Sequence, residues 1–195
     1  MSVRSGRDPA KKVESVVPFE IVPVWKQLTP ELKSELLDFW KRNRAIGDPA
    51  RAQARADQAV CIGRDQAGAI CAVGTAVLRV LPRLRQPMYY YRLFFAKSVR
   101  GQQQMPRFYN RCRKVLQAYN AALPKPESLG VLIELESRFL STFYKQAHVA
   151  EMNSTFIGYS PRGLQLRVSY FDDAVLLPPV ALPLQRVPKA DANGP

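Results

Sequence analysis

The sequence predicts an α/β (α+β) domain, a mixed and mostly antiparallel sheet of about seven strands flanked by about four helices. Three observations lead there. The apolar pattern alternates between helical spacing and strand-like runs over residues 19–171. Helix starts carry capping residues and prolines, as in Thr29-Pro30-Glu31. Some strand candidates are joined by short turns and others by whole helices, and a sheet connected in both ways is mixed.

Residues 1–18 are polar, lack a period and read as a flexible arm. A short strand over 19–25, interrupted by Pro23, belongs at a sheet edge because proline has no N–H to give a neighbour. Thr29, Pro30 and Glu31 open a helix over 30–43 whose Leu32, Leu36, Leu37, Phe39 and Trp40 share a buried face. Gly47-Asp48-Pro49 ends it and starts a second, short helix over 49–56. The period then changes, and 59–62 and 69–80 read as strands across the turn Asp65-Gln66-Ala67-Gly68. Residues 82–87 form a basic loop, and 88–97 (MYYYRLFFAK) a central strand buried on both faces.

After Pro106 a helix carries Phe108, Cys112, Val115, Leu116 and Tyr119 on one face, with Arg107, Arg111 and Lys114 turned away, and stops at Pro124 and Pro126. A strand over 129–135 follows. Phe139, Leu140, Phe143, Tyr144 and Ala147 then mark an amphipathic helix, and 155–158 and 164–171 a last strand pair. The organisation is a single domain over 19–177 with a proline-rich tail over 178–195.

Twenty-nine Lys and Arg against 16 Asp and Glu leave a net charge of +13, which points to an anionic partner. The excess is local. No Asp or Glu lies between Asp65 and Glu127, a stretch holding 11 cations, while the rest of the chain carries 18 cations and 16 acids. Nucleic acid is one class of partner, since Tyr89, Tyr90, Tyr91, Phe94, Phe108 and Tyr109 sit among these cations and aromatic rings stack on bases. Their strand and helix spacing makes core packing the simpler account.

Other classes are excluded or disfavoured. Cys61, Cys71 and Cys112 form no CxxC pair and read as core thiols in a reducing compartment. The single histidine, His148, excludes a His-rich metal site and reads as a dipole partner just past a helix end. The longest apolar stretch, 67–78, is short of the ~20 residues a membrane span needs, and the N-terminus lacks the apolar run of a secretory signal. A soluble cytoplasmic protein that binds no metal is the expectation.

The element order and three joints resemble the GCN5-related N-acetyltransferase (GNAT) superfamily over about residues 19–171. The first joint is the strand-turn-helix FFAKSVRGQQQM, similar to the family's Arg-Gly-x-Gly-x-Gly/Ala turn, with Arg100 and Gly101 matching and Gln103 and Met105 standing where glycines are usual, so the turn is degenerate. The resemblance implies a site for acetyl-CoA or another acyl-CoA. The backbone of Phe95, Ala96 and Lys97 would orient the pantetheine, and the amides of Val99, Arg100, Gly101, Gln102, Gln103 and Gln104 would hold the pyrophosphate, since free helix amides attract phosphate. Gln103 and Met105 would narrow that cradle, because side chains replace the close backbone approach that glycine allows. The second joint places Tyr144 seven residues after Ser137, the spacing of the family's general acid to the leaving thiolate. The third, Phe156-Ile157-Gly158-Tyr159, supports the architecture alone.

Glu134 and Glu136, at the end of the strand before Tyr144, share a face by alternation and are the nearest candidates for a base. Two carboxylates on one face raise each other's pKa, unless nearby arginines neutralise them. The resemblance thus implies an N-acyltransferase working by direct attack of an amine on acyl-CoA, or with acyl-carrier protein as donor. Arg42, Arg44, Arg51, Arg83 and Arg85 in the substrate-side loops imply an anionic acceptor. The alternative is a catalytically inactive module of this fold whose basic segment binds nucleic acid or an acidic protein.

Overall fold

The computed structural model describes residues 19–100 and 104–181. Within them lies one eight-stranded sheet: β1 (Glu20–Pro23), β2 (Ala59–Arg64), β3 (Ile70–Leu81), β4 (Gln86–Phe95), β5 (Gly130–Glu134), β6 (His148–Val149), β7 (Ser154–Tyr159) and β8 (Gln165–Tyr170), in the spatial order β1-β2-β3-β4-β5-β8-β7-β6. Four helices accompany it, α1 (Pro30–Arg42), α2 (Pro49–Ala56), α3 (Met105–Ala122) and α4 (Arg138–Phe143). Only β4 and β5 pair in parallel; every other neighbour is antiparallel. The expected mixed sheet is therefore present, with one short strand more than the periodicity indicates.

The helix starts are those the capping residues predict. The Thr29 hydroxyl accepts from the Leu32 amide (3.2 Å) ahead of Pro30, and Asp48 accepts from the Arg51 amide (3.1 Å) ahead of Pro49. Leu36, Phe39 and Trp40 of α1 and Ala52 and Ala56 of α2 pack on Ile62, Ile70 and Val73, covering one face of the sheet. On the other face, Phe108, Tyr109, Cys112 and Leu116 of α3 pack with Tyr89, Tyr91, Val131 and Ile133. All three cysteines are buried and free, as core thiols should be.

Two expectations are corrected. The strand 88–97 is buried on both faces only in its first half, and β4 is half-buried from Arg92 onward, because β5 no longer lies beside it there. The helix after Ser137 stops at Phe143 instead of running to Ala147. Buried Arg167 donates to the carbonyls of Tyr144 and Gln146, and the Phe156 amide takes the Ala147 carbonyl (2.7 Å), so the chain bonds to the sheet in place of adding a turn. His148 consequently sits in β6, its Nδ1 3.0 Å from the Thr155 hydroxyl, and not at a helix end.

The arm 1–18 and residues 182–195 of the tail lie outside the described residues. The start of the tail is anchored: Val180 exchanges hydrogen bonds with Arg85 through its amide (2.9 Å) and carbonyl (3.0 Å), and Leu177 does so with the Gln86 side chain.

Candidate active site

β4 and β5 are paired at three positions only, the last being Tyr91↔Ile133. Beyond it β4 follows β3 to Phe95, while β5 follows β8, where the Leu135 amide still donates to the Gln165 carbonyl (3.0 Å). Each central strand is held by its outer neighbour, so the two part and the sheet opens between residues 92–95 and 134–136. Backbone groups on the inner edge of β4 lose their strand partner there and are available to another extended chain.

A cavity of about 220 Å³ lies against this opening on the face covered by α1 and α2. Trp40, Val73 and Phe94 give it an apolar floor; Arg51 and Arg55 of α2, Arg92 of β4 and Glu136 line its polar side. Glu134 and Glu136 share a face, as alternation requires, but one guanidinium serves both: Arg162 Nη2 stands 2.8 Å from Glu134 and 3.4 Å from Glu136. Glu134 also accepts from the Tyr90 hydroxyl at 2.5 Å, the Tyr90 ring lies between the guanidiniums of Arg79 (4.8 Å) and Arg92 (4.7 Å), and Arg92 Nε is 3.9 Å from Glu136. Arg92, Tyr90, Glu134, Arg162 and Glu136 thus form a closed ring of contacts at the mouth of the opening.

The electrostatics follow from these contacts. Burial acts to raise the Glu134 pKa, but hydrogen bonds from Arg162, Ser160 and Tyr90, with the Arg162 charge, outweigh it and hold the carboxyl below its ordinary value. Of the two readings the sequence left open for these carboxylates, the contacts of Glu134 support neutralisation by a nearby arginine. Tyr90 is pushed up by burial and by donating to Glu134. Arg55 is lowered to about 10, first by burial and then by the like charges of Arg92 and Arg51.

A stability prediction arises here. The Glu134 side chain is 8% exposed, and its carboxylate accepts from Arg162 and from the Tyr90 hydroxyl. Glu134→Gln should cost about 1–2 kcal/mol at neutral pH. Because the folded-state pKa lies below 4.5, this contribution is complete above that value and is lost as pH falls through the lower one. Thermal unfolding of the two proteins across pH should show a gap that is full at neutrality and closes in acid.

The turn after β4 is partly described. Phe95 ends β4, and Ala96 accepts from the Val99 amide (3.1 Å) in the single 3-10 turn Lys97–Val99. The Arg100 amide is likewise engaged, with the Lys97 carbonyl (3.4 Å), and its guanidinium folds back over the Phe94 ring (4.9 Å) to donate to the Phe95 carbonyl (2.8 Å). Gly101, Gln102 and Gln103 lie outside the described residues. Gln104 caps α3, its carbonyl accepting from the Phe108 amide (3.0 Å) and its side chain from Arg107 (3.3 Å). Pro106 removes one amide from the first turn of α3.

Tyr144 is buried in the cluster on the α3 face, behind β5, and its phenol is pushed up by burial and by Glu151 against the opposing charge of Arg167. Glu136 lies on the opposite face, so the opening separates the two.

The eleven cations contiguous in sequence are dispersed in space. The hairpin after β3 carries Arg83 and Arg85 a full ten-residue strand, roughly 33 Å, from the end of β4. Arg113 is buried against Asp172 (2.7 Å), and Arg107 is held on the Phe19 carbonyl and ring. The local excess of charge along the sequence is therefore not one patch in space, and of the five arginines assigned to acceptor loops only Arg51 lines the cavity. Arg55, Arg92 and Arg162 were not singled out from the sequence, and Tyr90 only as one of the aromatic rings among the cations. The four-residue spacing of Arg51 and Arg55 signals a shared helix face; no local pattern announces Arg162.

Among the described residues no group of three or more His, Cys, Asp or Glu side chains could hold a metal ion, and no helix is long and apolar enough to cross a membrane.

A mixed sheet that opens between its two parallel central strands, with a helix after each, defines the class: the chain has the fold of the GNAT acetyltransferases. No protein-family model and no curated protein matches the sequence. Among solved structures, it is similar to the ribosomal-protein-S5-alanine acetyltransferase of Vibrio fischeri (TM-score 0.56, 9% identity, 81% of this chain and 96% of that one). It is also similar to a GNAT-family acetyltransferase of Streptococcus pneumoniae (0.51, 11%, 78% and 99%) and to the GNAT phosphinothricin acetyltransferase of Sinorhizobium meliloti, solved with AcCoA (0.50, 9%, 83% and 93%).

Proposed function

We infer that the protein is an acyl-CoA-dependent N-acyltransferase that moves an acyl group to an amine by direct attack. The observation that carries this reading is the parting of β4 from β5 in a GNAT fold, with a carboxylate-bearing cavity on one side and a buried tyrosine on the other. The acyl-CoA supplies a thioester carbonyl. The inner edge of β4 at residues 92–94 offers hydrogen-bonding backbone to an extended pantetheine, and the start of α3 at Gln104 and Met105 offers the positive end of a helix to the pyrophosphate. Glu136 takes a proton from the amine, directly or through one water. Tyr144, kept protonated across neutral pH by its burial, gives a proton to the departing sulfur. Glu134, held ionised, positions Tyr90 and Arg162 around the opening.

The names of two similar structures point to different acceptors, a protein alanine and phosphinothricin, so the fold favours no particular acceptor. Isothermal titration with acetyl-CoA, longer acyl-CoAs and an acyl-carrier protein tests the reading: saturable acyl-CoA binding is expected, and no binding at millimolar ligand would overturn it.

A further inference from the structure

The cavity beside the parted strands holds more positive charge than the protein itself neutralises. Arg51 and Arg55 stand four residues apart on α2 and project from one face, with Arg92 coming from β4 across the cavity. Neither Arg51 nor Arg55 has a side-chain hydrogen bond or ion pair among the described residues. Arg92 Nε is enclosed without a hydrogen-bond partner, its nearest carboxylate being Glu136 at 3.9 Å. The two acids in the lining are already engaged: Asp48 caps α2 through the Arg51 amide, and Glu136 is shared with Arg162. Three cations converging on an apolar floor of Trp40 and Phe94 repel one another, and Arg55 is lowered first by burial and then by the charges of Arg92 and Arg51. A bound anion relieves that repulsion, and guanidinium groups match the paired oxygens of a carboxylate or phosphate.

We propose that this cavity binds the carboxylate or phosphate of a small anionic amine, gripped by Arg51, Arg55 and Arg92, with its apolar part on Trp40 and Phe94 and its amine toward Glu136. The volume supports a small molecule: about 220 Å³ is some seven waters at about 30 Å³ each. A metabolite bearing one oxyanion group fits; a polynucleotide does not enter. That the bound amine is the acyl acceptor rests on the acyltransferase reading, whereas the anion site does not.

The test begins with binding, without acyl-CoA. Inorganic phosphate, L-phenylalanine and O-phosphoethanolamine are titrated into the intact chain by calorimetry and thermal shift, beside the uncharged-end counterparts phenylalaninamide and ethanolamine. At least one amine carrying an anion should bind about tenfold or more tighter than its counterpart. Preference for phenylalanine identifies a carboxylate site and preference for phosphoethanolamine a phosphate site. Arg51→Gln, at an exposed position, and Arg55→Gln should each abolish that preference and leave acyl-CoA titration unchanged. Equal binding of charged and uncharged members, no binding by any of them, or variants that keep the preference would each overturn the proposal. Discrimination without acyl-CoA binding would instead remove the acyltransferase reading and leave the anion site standing.

Discussion

Gly130→Ala is expected to cost about 3 kcal/mol or more, a large part of the ~5–15 kcal/mol that holds a domain folded. Gly130 begins β5 opposite Tyr170 of β8, and a Cβ there would stand 2.2 Å from the Ser169 carbonyl oxygen and 2.8 Å from the Tyr170 Cα. These are backbone atoms of a paired strand, so no rotamer change relieves the overlap. The glycine cannot retreat either. The Ser128 hydroxyl bonds both its amide (3.2 Å) and its carbonyl (2.9 Å), and the Asn120 side chain of α3 fixes the amides of Glu127 and Ser128. Since β5 bridges β4 and β8, any shift also disturbs the parting of β4 from β5. Denaturant unfolding checks this; a midpoint change equivalent to less than about 1 kcal/mol would show that β8 yields.

The largest effect on activity is expected at Glu136. Its side chain is 56% exposed and its ion pairs are long, so Glu136→Gln should leave the melting temperature nearly unchanged. If it takes the proton from the amine, the same variant lowers kcat by about 10²–10⁴ with acyl-CoA affinity retained. Tyr144→Phe should likewise lower kcat without weakening acyl-CoA binding. Its loss should shrink with acyl donors whose thiol has a lower pKa, since a better leaving group needs less help from an acid. Steady-state kinetics beside acyl-CoA titration separates these outcomes; kcat within twofold of wild type for Glu136→Gln would remove it from the chemistry.

Helix starts were legible because their causes are local. Thr29-Pro30 and Asp48-Pro49 each satisfy an amide three residues on, and such contacts need nothing from the rest of the chain. Strands were legible where burial writes a long apolar run into them, as in β3 and β4. β6 was not, because two residues hold no period. The length of α4 was also hidden: past Phe143 the chain turns to the sheet, where Arg167, more than twenty residues away, takes the carbonyls of Tyr144 and Gln146.

The site divides in the same way. Tyr144 was named through the family resemblance, Glu134 and Glu136 through their place at the end of a strand, and alternation correctly put the two carboxylates on one face. The sequence by itself thus determined the element order apart from β6, the starts of α1 and α2, the buried faces of α1 and α3 and the resemblance to GNAT acetyltransferases. Only the tertiary structure decided which charges meet. A run of 61 residues with 11 cations and no acid looks like one basic patch, yet a ten-residue strand carries its ends apart while register brings Arg92 of β4 to Arg55 of α2 and Glu136 beyond β5. Charge acts through distance in space, and in a sheet that distance is set by pairing and register, which no local run of residues encodes.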